Sequence, residues 1–126
     1  MSNIETEIED REAFGKILSN NKGVVVIKFG AKWCAPCRNS KAFVYENFKR
    51  MPGNVTCYDI DVDECLDIYA ALKAKKMVSG IPVILAYRRG NLGPAPDYSV
   101  TGADDKAISQ FFMQVFAIAQ QELQVK

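Results

Sequence analysis

The run Val24-Val25-Val26-Ile27-Lys28-Phe29 narrows the possible folds more than any other segment. It is apolar and β-branched almost throughout, the pattern of a strand buried on both faces rather than one. Such a strand must be covered from above and below. That points to a sheet with helices on both sides. Lys28 is the one interruption in the run.

The rest of the chain supplies the layers. Ile4 to Ile8 alternates apolar and polar residues and reads as a short first strand. Asp10 is placed to cap a helix to about Leu18, with Phe14, Ile17 and Leu18 on one face. A turn covers Ser19 to Gly23. After the central strand, a helix is expected from Cys34 to about Arg50, stopped by Pro52-Gly53-Asn54. Val55 to Val62 is a second long strand. Asp63 is placed to cap a third helix over about Glu64 to Lys76, and Pro82 to Tyr87 is a further strand. Arg89-Gly90-Asn91 reads as a hairpin turn and Gly93 to Asp97 as a loop. Tyr98 to Thr101 is expected at a sheet edge. Ala103 to Gln124 forms a long amphipathic helix, with Ile108, Phe111, Phe112, Val115, Phe116 and Ala119 as its core side. The order is β-α-β-α-β-α-β-β-α, an α/β chain with a mixed sheet. Its 126 residues, 48% of them hydrophobic, suit one domain over 1–126 with a single sizeable core.

Several functions are disfavoured early. The net charge is +1 and both signs are mixed along the chain. Nothing here is patterned for nucleic acid or an anionic membrane surface. Met1 to Asp10 is acidic and polar, unlike a signal peptide. No apolar run approaches the roughly 20 residues of a membrane span. A reducing cytoplasmic setting is the expectation, where free thiols are ordinary. Histidine is absent, which removes Cys-His and Ser-His-Asp catalysis and every His-containing zinc site.

Four cysteines remain, at 34, 37, 57 and 65. Cys34 and Cys37 stand just after the central strand and open a helix. Unpaired amides at a helix start favour a thiolate. Such positions lower a thiol pKa from about 8.5 into the range of roughly 3.5–7.5. One helical turn separates the two sulfurs, so they can close a disulfide. That spacing allows a two-step exchange. Cys34 attacks a substrate disulfide, and Cys37 then releases the reduced substrate and leaves the pair oxidised. Pro36 costs little early in a helix, where its missing N–H has no partner to lose. Trp33 offers a flat apolar surface beside the nucleophile. A C-x-x-C pair also occurs in zinc sites, but only Cys57 and Cys65 are left to complete one, and they are not a second knuckle.

Lys28-Phe29-Gly30-Ala31-Lys32-Trp33-Cys34-Ala35-Pro36-Cys37-Arg38 resembles the active-site segment of thioredoxins, in which Gly more usually stands at the place of Ala35. Asp61-Val62-Asp63-Glu64 is similar to a strand-to-helix segment of eukaryotic-type cytosolic members. Gly80-Ile81-Pro82 resembles the family's cis-proline loop, and Gly102 the glycine before the last helix. These matches fall in order over roughly Asp10 to Gln120. The resemblance implies a thioredoxin fold, with a central mixed sheet of four to five strands flanked by four helices. It implies Cys34 and Cys37 as catalytic thiols. It also implies a substrate groove bordered by Trp33, Ala35, Pro36, Gly80, Ile81, Pro82 and Gly102, with Pro82 cis and the Ile81 backbone free to pair with an extended segment. No cofactor beyond the redox disulfide and no metal is implied. The implied partners are protein disulfides and a recycling reductase such as thioredoxin reductase, with the chain a monomer.

Lys28 departs from that pattern. The family usually has a buried Asp six residues before the first cysteine, which helps take the proton from the resolving thiol. Three readings of Lys28 compete: a side chain that snorkels out of the strand and stays idle, a cation that favours thiolates, and a desolvated neutral base. Cys57 stands where many bacterial members have lysine. It is either a thiol of lowered pKa or a plain buried one. Asp59, on the same strand face as Cys57, is available to hold Lys28. Cys65 is expected half exposed near the start of the third helix. Ala42 stands where a proline often kinks the active-site helix. The alternative to an enzyme is a thioredoxin-fold interaction module in which exchange is incidental.

Overall fold

The computed structural model describes residues 4–124. Met1 to Asn3, the start of the acidic segment, and the last two positions of the 1–126 span lie outside the described residues. Five strands and four helices follow in the expected order: β1 (Ile4–Glu5), α1 (Arg11–Ser19), β2 (Val24–Gly30), α2 (Ala35–Arg50), β3 (Val55–Asp61), α3 (Leu66–Ala74), β4 (Val83–Arg88), β5 (Tyr98–Thr101) and α4 (Asp105–Leu123). The sheet order is β1-β3-β2-β4-β5. β1 and β2 run parallel to β3, whereas β4 is antiparallel to both β2 and β5.

β2 is the middle strand, and all seven of its residues are buried. Successive side chains alternate between two faces. Val25, Ile27 and Phe29 enter a core with Phe14 and Leu18 of α1 and Ile68, Tyr69 and Leu72 of α3. Val24 and Val26 enter a second core with Val44 and Phe48 of α2 and Ile108, Phe111, Phe112 and Val115 of α4. Phe48 and Phe112 meet edge to face at 5.7 Å between ring centroids, a favoured aromatic geometry. The two-sided apolar run is therefore satisfied by one helix pair on each face.

Two helix starts, those of α1 and α4, are set by short acidic side chains. The Asp10 carboxylate accepts from the Ala13 N–H at 2.9 Å, and Asp104 does the same for Ala107 at 3.1 Å. Each satisfies an amide that the helix itself leaves without a partner.

Four expectations need correction. The first strand is two residues long. Ile8 is buried but lies outside it, because its side chain drops into the α1–α3 core. Asp63 does not cap α3. The N–H groups of Glu64 and Cys65 both turn back to the Asp61 carbonyl, so the helix starts later, with Cys65 at the cap. Cys65 is buried rather than half exposed, packed into the α1–α3 core. Phe116 is 41% exposed, and Ile118 fills the core in its place. Phe116 lies one step around the helix from the stripe centred on Val115 and Ala119, just outside the covered arc. The Arg89-Gly90-Asn91 turn is present, with the Asn91 N–H on the Arg88 carbonyl. A second cis bond, Gly93–Pro94, lies in the loop that follows it.

Candidate active site

The end of β2 leads through Ala31, Lys32 and Trp33 into α2. Cys34 is the N-cap of that helix, with extended backbone at φ −91° and ψ 109°. Its sulfur accepts from the Cys37 N–H at 3.2 Å. The Cys37 amide at the head of α2 is therefore aimed at Cys34 Sγ, an arrangement that favours negative charge there. Pro36 lies in the first turn, where it takes no hydrogen bond away. The two cysteines form a disulfide with 5.2 Å between Cα atoms, within the ordinary range. Cys34 is 7% exposed and Cys37 3%, so attack from outside reaches the first sulfur more readily.

Around this buried pair the surface is open. Trp33, the chain's one tryptophan, is 67% exposed. Its indole N–H donates to the Asp63 carboxylate at 2.9 Å, which turns an apolar ring outward beside the disulfide. Asp63 is itself fixed through its N–H, which donates to Asp61 Oδ1 at 2.8 Å. Ala35 and Pro36 are exposed. The Ile81–Pro82 bond is cis, Pro82 is buried, and Gly80 and Ile81 are half-buried. Ile81 packs against the apolar cluster that contains Cys34 and Cys37. The Gly102 N–H donates to the Pro82 carbonyl at 2.8 Å. Gly102 has φ +100°, a conformation that glycine adopts without a Cβ penalty.

Behind Cys37 lies a cleft of about 450 Å³, lined among others by Lys28, Gly30, Arg38, Lys41, Asp59 and Asp61. Lys28 does not snorkel. It is 3% exposed, and its amine lies 3.3 Å from Asp59 Oδ1. β2 is the central strand under α2, so the side chain stays inside the fold, where it lines the cleft. The β2–β3 register sets Lys28 directly against Asp59. The second carboxylate oxygen of Asp59 accepts from the Tyr45 hydroxyl at 2.6 Å and lies 4.0 Å from the Lys41 amine. Burial first, then the hydrogen bond and negative charge of Asp59, push the Tyr45 phenol well above its ordinary value.

Tyr45 and Lys41 were not singled out by the sequence reading, yet a signal for them existed. Cys37, Lys41 and Tyr45 stand at four-residue intervals and so share one face of α2. The Lys41 amine also sits 5.4 Å from the centre of the Tyr45 ring.

Cys57 is set apart from this group. It pairs in register with Val26, not Lys28, and lies in the α2–α4 core. Burial alone pushes its thiol up to about 12, which contradicts the reading of a lowered pKa. Cys65 lies in the core on the opposite sheet face. Among the described residues, no group of three or more Cys, Asp or Glu side chains gathers as a metal site.

Comparison with known proteins agrees with this geometry. The thioredoxin family model matches residues 5–114. Rabbit (Oryctolagus cuniculus) thioredoxin is 34% identical over 85 residues, which is 67% of this chain and 76% of the rabbit protein. The solved structure of Plasmodium falciparum thioredoxin, 27% identical, covers 86% of this chain and 84% of its own, with a TM-score of 0.67. Trichomonas vaginalis thioredoxin, at 23% identity, shares the fold with a TM-score of 0.71 over 88% of this chain and 96% of its own. With the disulfide of a C-x-x-C pair at the head of α2 and this family match, the chain belongs to the thioredoxin family and is a thiol–disulfide oxidoreductase.

Proposed function

We propose that the chain reduces disulfides in other proteins, with Cys34 as the attacking thiol and Cys37 as the resolving thiol. The observation that carries these roles is the position of Cys34 at the N-cap of α2, with its sulfur 3.2 Å from the Cys37 N–H. In the first step the Cys34 thiolate bonds to one substrate sulfur. The other leaves as a thiolate and takes up a proton. In the second, Cys37 loses its proton and attacks Cys34 Sγ, and the remaining substrate sulfur departs. Two electrons have passed to the substrate, and the Cys34–Cys37 disulfide has re-formed.

Trp33, Ala35 and Pro36 on one side and Gly80, Ile81, Pro82 and Gly102 on the other border the substrate groove in this reading. Their support is the exposure of the first group and the packing of Ile81 against the cysteine cluster. Members of this family act on protein disulfides and are recharged by reductases. The partner that restores the dithiol here is a reductase of the thioredoxin reductase kind. The chemistry needs no cofactor beyond the cysteine pair. No helix among the described residues is long and apolar enough to cross a membrane. A reducing compartment such as the cytoplasm suits a pair that works in the direction of substrate reduction.

The test is reduction of insulin disulfides with dithiothreitol as electron source. The wild-type chain should accelerate precipitation of the reduced insulin chains, and Cys34→Ser should fall to the uncatalysed rate. A wild-type rate no better than that of Cys34→Ser would support an interaction module instead.

A further inference from the structure

The resolving step needs a Cys37 thiolate, yet the position at which this family usually has a carboxylate holds Lys28. A Cβ added to Gly30 would lie 3.3 Å from Lys28 Nζ and 3.4 Å from Cys37 Sγ. The ammonium and the resolving sulfur therefore flank one small gap, kept open by the absence of a side chain at Gly30. Both residues are almost fully buried, so water screens their interaction poorly.

We propose that Lys28 drives resolution electrostatically: its ammonium stabilises the Cys37 thiolate, and the thiol proton leaves to water in the adjoining cleft rather than to a carboxylate at position 28. This rests on the two-step exchange above. The charge balance around the gap supports it. Asp59 is held by two lysines, Lys28 on one oxygen and Lys41 on the other, and Tyr45 donates to it as well. One carboxylate shared between two ammonium groups leaves net positive charge beside Cys37. The other charged groups lining the cleft are Lys32 and Arg38 on one side of the balance and Asp61 and Glu64 on the other. They cancel in number and leave that excess standing. β4 contributes no charge opposite Lys28, since its register partner there is Ile84.

Cys57 acts as an internal control. It is a buried thiol on the neighbouring strand with no cation in its cluster, and burial pushes it up to about 12. Cys37 is also buried, but its sulfur lies beside the Lys28 ammonium and the cleft, whereas that of Cys57 does not. The Asp59 contact also holds the amine in place, because a lysine free to rotate would leave the gap.

The experiment is a single turnover of reduced protein with an aromatic disulfide whose released thiolate is coloured. The first thiolate reports attack by Cys34 and the second reports resolution by Cys37. Lys28→Met should slow the second phase about tenfold near pH 7, with the first phase within about twofold. It should raise the Cys37 titration midpoint by about one pH unit, read from the ¹³Cβ shift in a Cys34→Ser background. Lys28→Arg, which keeps the charge, should stay within about threefold of wild type. An unslowed second phase in Lys28→Met, or Lys28→Arg as slow as Lys28→Met, overturns the proposal. If Lys28→Met fails to fold, the Cys34→Ser protein with native Lys28 decides. A Cys37 midpoint at or below the ordinary thiol value of about 8.5 supports the proposal, and a clearly higher one overturns it. A wild-type chain that releases only one thiolate per molecule would overturn the two-step exchange itself.

Discussion

At the scale of single residues, burial and local partners decide which thiol reacts. Cys34 is capped by an amide and touches the surface, whereas Cys57 is sealed in the core with its pKa pushed up to about 12. An alkylating reagent at pH 8 should modify Cys34 of the reduced native protein and leave Cys57 unlabelled until the chain is unfolded, which peptide mapping would show. The raised Cys57 value also carries a sign for stability. Between the ordinary thiol value of about 8.5 and about 12 the native state keeps a proton that the unfolded state has lost. This group therefore takes nothing from stability below the ordinary thiol value, and stability falls as pH rises through this window. Urea midpoints measured from pH 8 to 11 should decline, and less steeply in Cys57→Ala. The Cys34-x-x-Cys37 chemistry was legible from the sequence because it depends on local spacing. The state of Cys57 was not, because desolvation is set by what packs over it.

At the scale of elements, each helix is held by an end and a face. Asp10 caps α1 through the Ala13 N–H, so Asp10→Ala should cost about 1 kcal/mol. Phe48 is fully buried between α2 and α4 against Phe112, so Phe48→Ala should cost about 3–5 kcal/mol. Denaturant unfolding of the two variants would check both the values and their order. The cap at Asp10 and most of the apolar stripe of α4 could be seen in the sequence, since both are short-range patterns. The start of α3 could not. Asp63 is a good cap by type, but its carboxylate is taken by the Trp33 indole, a partner thirty residues away in the chain.

At the scale of the whole molecule, both cores share β2, so neither can come apart while the other stays packed. The chain should unfold as one cooperative unit, as a single domain does. Urea transitions followed by far-ultraviolet circular dichroism and by Trp33 fluorescence should coincide, and two separated transitions would overturn the single-domain reading. The same shared strand carries Lys28 into the α2 side of the sheet and delivers Cys34 and Cys37 from its end, which ties the reacting sulfurs to the rigid centre of the fold.

The sequence by itself determined the element order and the two-sided central strand, which follow from spacing and periodicity along the chain, and it marked the redox pair through the C-x-x-C spacing together with the family-like motifs around it. Only the tertiary structure decided how the pair is served. The β2–β3 register set Lys28 against Asp59, and the packing of α2 brought Tyr45 and Lys41 onto the same carboxylate. Lys28 was visible as the one charge in an apolar run and Asp59 as a carboxylate able to hold it, but the choice among an idle, a cationic and a neutral Lys28 was not. That choice depends on burial and on what lies beside the amine, both set by distances between strands and helices far apart in the chain.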